Sequence, residues 1–245
     1  MNLYDGKNLT PPAGYTLQIV DEVSSTNTVL LQGEYPDKTV LLARKQTCGK
    51  GSKGRSFFSP EGGIYLSVLL KDLPQSRLIC LTPLAAVAVY RALLPHTSKS
   101  LAIKWVNDIY LQEKKVCGIL TESRFEGERP NTVVGVGINL LPQQFPDGFL
   151  HPPTSLLESP DPQKAENIIN TFLREFENLL HTDNFFLEYK RICCTIGRRV
   201  CLRRGEEIIR GTAEDITRDF HLVIRLSDGT CRTLSSGEVT EQIQE

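Results

Sequence analysis

The sequence has no apolar run long enough to cross a bilayer. Its longest, Leu81 to Leu94, is broken by Thr82, Pro83 and Arg91 and falls short of the ~20 apolar residues a spanning helix needs. No membrane association is expected. Nor is there an excess of charge: 28 Lys and Arg against 29 Asp and Glu leave a formal net charge of −1, which excludes a generic polyanion binder. No CxxC pair occurs among the seven cysteines, and an odd number of thiols in a chain this long argues for reduced cysteines. The four histidines, at 96, 151, 181 and 221, stand far apart and near no cysteine at zinc-ligand spacing, so no metal site is expected. The stretch Met1 to Pro12 has one lysine and no apolar core, unlike a secretory signal. A cytoplasmic location follows as the expectation. With 40% apolar and 23% charged residues, the chain has the make-up of a folded globular protein.

The pattern along the chain is mixed. Thr16 to Val20 and Thr39 to Ala43 read as strands, with Ser25-Thr26-Asn27 offering N-cap chemistry to a short helix between them. Ile64 to Leu70 reads as a buried strand. Thr82-Pro83 reads as an N-cap and first-turn proline of a core helix ending at Leu94. Leu101 to Trp105, Ile109 to Gln112, Val116 to Phe125 and Thr132 to Leu140 read as strands. Their connections, 113–115 and 126–131, are short and polar, as in antiparallel hairpins. Segment 141–162 carries six prolines and reads as an irregular loop. Gln163 to His181 has apolar residues at helical spacing, and Asn184 to Cys193 suggests a further helix. Beyond Ile196, short runs at Val200 to Leu202, Ile208 to Glu214, Leu222 to Leu226 and Cys231 to Leu234 suggest a small barrel. The expected division lies near residue 194, giving units 1–194 and 195–245.

Between Asp37 and Glu61 there is no acidic residue, yet Lys38, Arg44, Lys45, Lys50, Lys53 and Arg55 lie there. Gly49, Gly51 and Gly54 interleave with three of these cations, so backbone N–H groups can turn towards an anion that the side chains neutralise. A mobile basic surface loop fits the composition equally. A Walker loop does not, because the string lacks the GK[ST] ending and precedes a strand. Lys104-Trp105-Val106-Asn107-Asp108 puts a cation at the end of an apolar strand; a lysine there could neutralise a carboxylate and a phosphate together, while an isolated string of this kind also fits a surface turn. Val134 to Asn139 holds two glycines in a buried strand, as where a ligand or another backbone comes close.

Taken in order, SSTN (24–27), QTCGKGSKGRSFFSP (46–60), KWVNDI (104–109), VCGILTE (116–122), GVGINL (135–140) and SSGEV (235–239) resemble a biotin protein ligase of the bacterial type. The resemblance runs from about Thr16 to Val239. It implies a mixed α/β catalytic domain, related to class II aminoacyl-tRNA synthetases and lipoate ligases, followed by a small SH3-like β-barrel. The implied activity is ATP-dependent: biotin is activated as biotinyl-5′-AMP, with Mg2+ accompanying ATP, and then passed to a lysine of a biotin carboxyl carrier domain. By the same resemblance Ser25, Thr26, Asn27 and Gln46 would line the biotin pocket. Gly49, Lys50, Gly51, Ser52, Lys53, Gly54 and Arg55 would form a loop closing over biotin and the adenylate. Lys104 would meet the biotin carboxylate and α-phosphate and, with Arg55, carry the catalysis. Phe57, Asn107 and Asn139 would sit at the nucleotide, and Gly118 beside the biotin ring.

Four positions depart from the family pattern. Lys50 and Ser52 stand where arginines are usual, Phe57 where a tryptophan is usual, and Val106 where proline is usual. Relatives with repressor activity carry a DNA-binding domain ahead of the catalytic one; about 15 residues precede the first strand here, so a ligase without DNA binding is the expectation. A lipoate ligase is the nearest rival. A nucleic-acid binder using Lys190, Arg191, Arg198, Arg199, Arg203, Arg204 and Arg210 is another, though aromatic stacking residues are absent from that stretch. The oligomeric state is left open, a homodimer included.

Overall fold

The computed structural model describes residues 3–126, 129–148, 152–182 and 184–241. Residues 127–128 of the 126–131 connection, 149–151 of the proline-rich segment with His151, the terminal Met1 and Asn2, and 242–245 lie outside the described residues.

β1 (Thr16–Val23) and β2 (Thr39–Gln46) pair in parallel around helix α1 (Thr26–Gln32). With β3 (Ile64–Lys71), β4 (Leu101–Lys104), β5 (Asp108–Leu111), β6 (Lys114–Glu126) and β7 (Arg129–Ile138) they form a seven-stranded sheet, ordered β1-β2-β3-β7-β6-β5-β4. Every other pairing is antiparallel, so the expected hairpins between 101 and 140 are present. Strand alternation then divides the sheet into two faces. Val134, Val136 and Ile138 of β7 point into the main core, whereas Val133 packs with Leu30, Leu41 and Leu69 under α1.

The main face is covered by α3 (Leu81–Leu93) and α4 (Pro162–Leu180). Asp161 caps α4 by accepting from Lys164 N at 3.0 Å, and Pro162 opens its first turn; both are helix-start chemistry. Its stripe Ile168, Ile169, Phe172, Phe176 and Leu179 is buried. Thr82, in contrast, is not the N-cap of α3. The one-turn helix α2 (Gln75–Leu78) leads straight into that helix, Cys80 holds the cap position, and the Thr82 hydroxyl donates to Thr121 Oγ1 instead.

After α5 (Phe186–Ile192) come β8 (Arg199–Arg204), β9 (Glu207–Ile216), β10 (Leu222–Arg225), β11 (Cys231–Leu234) and β12 (Glu238–Glu241). They form a five-stranded antiparallel sheet, ordered β11-β10-β9-β8-β12. The fold class, mixed α/β with a small C-terminal β domain, is the one expected; β12 went unread in the sequence. One core spans both sheets. Phe220 stacks on Phe185 at 5.4 Å between centroids and meets Tyr189 edge-on at 5.1 Å. Trp105 ends its strand one residue early because its backbone N–H donates to Thr195 Oγ1, while its indole N–H donates to the Phe220 carbonyl. Within the basic stretch, Lys190 pairs with Asp215, Arg198 with Glu113 and Arg204 with Glu207. No helix among the described residues is long and apolar enough to cross a membrane.

Candidate active site

A cavity of about 990 Å³ opens on the face of the larger sheet that carries α1. Its floor is flat because side chains are missing from it. Gly118 pairs with Gly137 and Leu120 with Gly135 in the β6–β7 ladder. A Cβ at Gly137 would lie 2.6 Å from Phe57 Cε1, one at Gly118 3.0 Å from Phe57 Cε2, and one at Gly135 2.9 Å from Asn27 Cγ. Gly135 and Gly137 therefore stand where another group comes too close for a side chain, and Gly118 where one would fit only tightly.

One rim is a small hairpin, residues 49–57, bridged at Lys50 and Ser56. Gly51 N donates to Arg55 O at 2.7 Å and Phe57 N to Gly49 O at 2.8 Å. The turn passes through Lys53 (φ 59°) and Gly54 (φ 74°), a left-handed step that glycine takes without Cβ strain. Arg55 folds back on the turn, donating to the Ser52 carbonyl and hydroxyl at 3.2 and 3.0 Å. Gly49, Lys50, Gly51, Ser52, Arg55 and Phe57 line the cavity. Lys53 and Gly54 do not, because they form the exposed tip turn.

The opposite wall is a buried polar network at the start of α1. Ser25 caps the helix through Thr28 N. Gln46 Oε1 accepts from Thr26 N and Oγ1 at 2.9 and 3.1 Å, and its Nε2 donates to Ser59 Oγ, which in turn donates to the Phe57 carbonyl. Asn27 Nδ2 donates to Leu120 O and to Glu122 Oε2, while its Oδ1 accepts from Ser67 Oγ at 2.6 Å. Buried polar groups held this completely have little freedom to rotate. Ser25, Thr26, Asn27 and Gln46 all line the cavity.

Lys104 does not line it. The register runs Lys104 to Asp108, then Asp108 to Gly118, which places Lys104 on the edge strand, two strands and roughly 10 Å from the glycine floor. Its ammonium is buried against Tyr110, 3.3 Å from the hydroxyl and 5.1 Å from the ring centroid. A cation that reaches the cavity from the sheet is Lys115, which the sequence presents only as part of a polar turn. A register shift pairs Ile109 with Cys117 but Tyr110 with Lys115. The extra residue, Val116, reverses the strand's alternation, so Lys115 joins Gly118 and Leu120 on the cavity side. Its Nζ lies 2.7 Å from Asp108 Oδ1 and 5.9 Å from the Phe57 centroid. Asp108 Oδ1 receives no aligned hydrogen bond among the described residues. The pair is thus held by charge, and the ammonium keeps donors for an incoming oxyanion.

Asn107 and Asn139 both line the cavity. Asn107 Nδ2 donates to the Ile119 carbonyl at 2.8 Å. Asn139 Nδ2 donates to the Lys115 carbonyl at 3.4 Å, and its backbone N–H donates to Val116 O, so it clamps the bulge that aims Lys115. The proline-rich segment supplies a further wall, Phe145 to Gly148 with Pro153; Phe145 meets Phe58 edge-on at 6.2 Å. Cys117, behind Gly118, is fully buried, and burial pushes its thiol well above the usual range, which disqualifies it as a nucleophile. Among the described residues no group of three or more His, Cys, Asp or Glu side chains could hold a metal.

Residues 19–139 match the Biotin/lipoate A/B protein ligase family, and residues 195–240 match the Biotin protein ligase C terminal domain. The biotin protein ligase of Aquifex aeolicus, solved in complex with biotin and ATP, superposes with a TM-score of 0.78 at 26% identity, covering 93% of this chain and 99% of that one. The bifunctional ligase/repressor BirA of Bacillus subtilis is 37% identical over 158 residues, 61% of this chain. The match spans about half of that relative, 49% of its length. The biotin–[acetyl-CoA-carboxylase] ligase of Mycobacterium tuberculosis is 31% identical over 244 residues, covering 91% of this chain and 88% of the relative. A cavity built from ordered sequence motifs, both domain matches in sequence order, and this nearly full-length relative together show that the chain belongs to the biotin protein ligase family.

Proposed function

We propose that the chain is an ATP-dependent ligase that activates biotin as biotinyl-5′-AMP and transfers it to a lysine of a biotin carboxyl carrier domain, in the cytoplasm. The observation that supports this most is the position of Lys115, between a glycine floor, a rigid polar wall and a cationic hairpin. In the first step a biotin carboxylate oxygen attacks the α-phosphorus of ATP and pyrophosphate leaves. Both reactants are anions, so repulsion is the obstacle. Lys115, Lys50 and Arg55 neutralise it, while the fixed wall aligns the carboxylate for in-line attack. In the second step the acceptor amine attacks the acyl carbon, loses its proton, and AMP departs. Neither step needs a covalent nucleophile from the protein.

On this reading Ser25, Thr26, Asn27 and Gln46 receive the ureido end of biotin. Residues 49–55 close over the adenylate. Phe57 covers the apolar part of the ligand, and Asn107 and Asn139 stand towards the nucleotide. Lys104 supports the sheet edge beneath Tyr110 without touching substrate. Asp147 is the one carboxylate among the described lining residues, too few for a resident cation, so magnesium enters as the counter-ion of the ATP phosphates.

Incubation with ATP, magnesium and labelled biotin is expected to yield pyrophosphate and a nucleotide-linked biotinyl product, with excess lipoate failing to compete. A lipoyl adenylate formed in preference would move the chain to the lipoate branch, and no adenylate at all would refute the reading. Gly137→Val is expected to weaken biotin binding by at least ~10-fold, because the new side chain takes the space now held by the Phe57 ring; titration calorimetry with biotin alone checks it.

A further inference from the structure

Resting on that reading, we propose that Glu122 is a positioning residue, one carboxylate that fastens the cationic hairpin to the polar wall. Gly118, Leu120 and Glu122 alternate onto the same face of β6. Glu122 Oε2 accepts from Asn27 Nδ2 at 2.9 Å, and Oε1 lies 3.8 Å from Lys50 Nζ. Glu122 is not among the lining residues, so it acts through its two partners.

Its effect on each follows from what the partner has left to bond. The Asn27 amide has two N–H groups, one held by Leu120 O and the other by Glu122. That fixes the amide orientation, with Oδ1 turned to Ser67. Lys50 sits on the first limb of the hairpin, opposite Ser56. The second limb is tied to the same wall by neutral bonds, through Gln46, Ser59 and the Phe57 carbonyl. Glu122 supplies an ionic tie for the first limb. The wall thus reaches the hairpin at both limbs, and any ligand that steadies Asn27 steadies the carboxylate that draws Lys50 inward. Side chains 30% and 46% exposed make this a screened tie, whose effect is modest and salt-dependent.

The test is amide hydrogen exchange over residues 49–57 in the ligand-free full chain, for wild type, Glu122→Gln, Lys50→Met and the double variant. Glutamine keeps the shape and an acceptor for Asn27 while removing the charge. Each single variant is expected to raise hairpin exchange about 2- to 5-fold, the double variant no further than either, and 1 M salt to erase the difference. Unchanged exchange in Glu122→Gln, or additive effects in the double variant, would overturn the proposal. In the enzymatic assay Glu122→Gln is expected to speed biotinyl-adenylate release by a similar factor, and Glu122→Ala also to raise the biotin KM, because Asn27 loses its partner. The exchange result decides the role of Glu122; adenylate formation by wild type decides the enzymatic reading separately.

Discussion

Lys115→Ala is expected to lower adenylate formation by at least ~10²-fold, the scale of losing one preorganised electrostatic donor from a water-poor site. Lys115 is a cation on the side of the glycine floor, and its contact with Asp108 at 2.7 Å leaves further N–H groups of the ammonium for a ligand. The loss should appear in kcat more than in the biotin KM, because the ammonium matters most when carboxylate and phosphate are forced together. Lys104→Ala serves as the contrast. Its ammonium is buried beside Tyr110, so its removal should cost stability while the folded fraction keeps a rate within ~10-fold of wild type. Single-turnover pyrophosphate release separates the two. Near-normal release from Lys115→Ala together with collapse in Lys104→Ala would return the role to the lysine that the resemblance suggested.

The second large effect concerns retention of the intermediate. Ser52→Arg is expected to slow dissociation of biotinyl-adenylate by roughly 10- to 150-fold, the equivalent of one charge-assisted contact of ~1.5 to 3 kcal/mol. Ser52 lies on the cavity wall, so an arginine from this position starts within reach of a phosphate. In the native hairpin Ser52 instead accepts from Arg55, which spends part of one cation on holding the turn. Neighbouring Lys53 stands on the exposed tip, away from the lining residues. Rapid dilution of the preformed complex measures the rate, and equal rates for the two proteins would show that residue 52 does not face the adenylate.

Features encoded by neighbours in the chain were the ones the sequence revealed. Ser25 to Asn27, the glycine–lysine hairpin and the glycines at 135 and 137 each reach the cavity through local conformation, so the strings themselves identify them. The Lys104 to Asp108 string is harder to read because its meaning depends on sheet register. A lysine at a strand end looks available, yet β4 is the edge strand and Lys104 is not among the residues that line the cavity. Lys115 was hidden for a related reason. Strict alternation puts residues 115 and 118 on opposite faces, and only the bulge at Val116, invisible without the partner strand, reverses that. The wall from Phe145 to Gly148 was also illegible, since a proline-rich loop has no period from which to infer where it folds back.

A structure of the protein with biotin and ATP bound tests the central claim most directly. The account expects an acyl-adenylate in the cavity between residues 49–57 and the glycines of β6 and β7, with Lys115 Nζ within about 3 Å of a carboxylate or phosphate oxygen and Lys104 still beneath Tyr110. Ligand bound elsewhere, or held by Lys104 with Lys115 turned away, would contradict it.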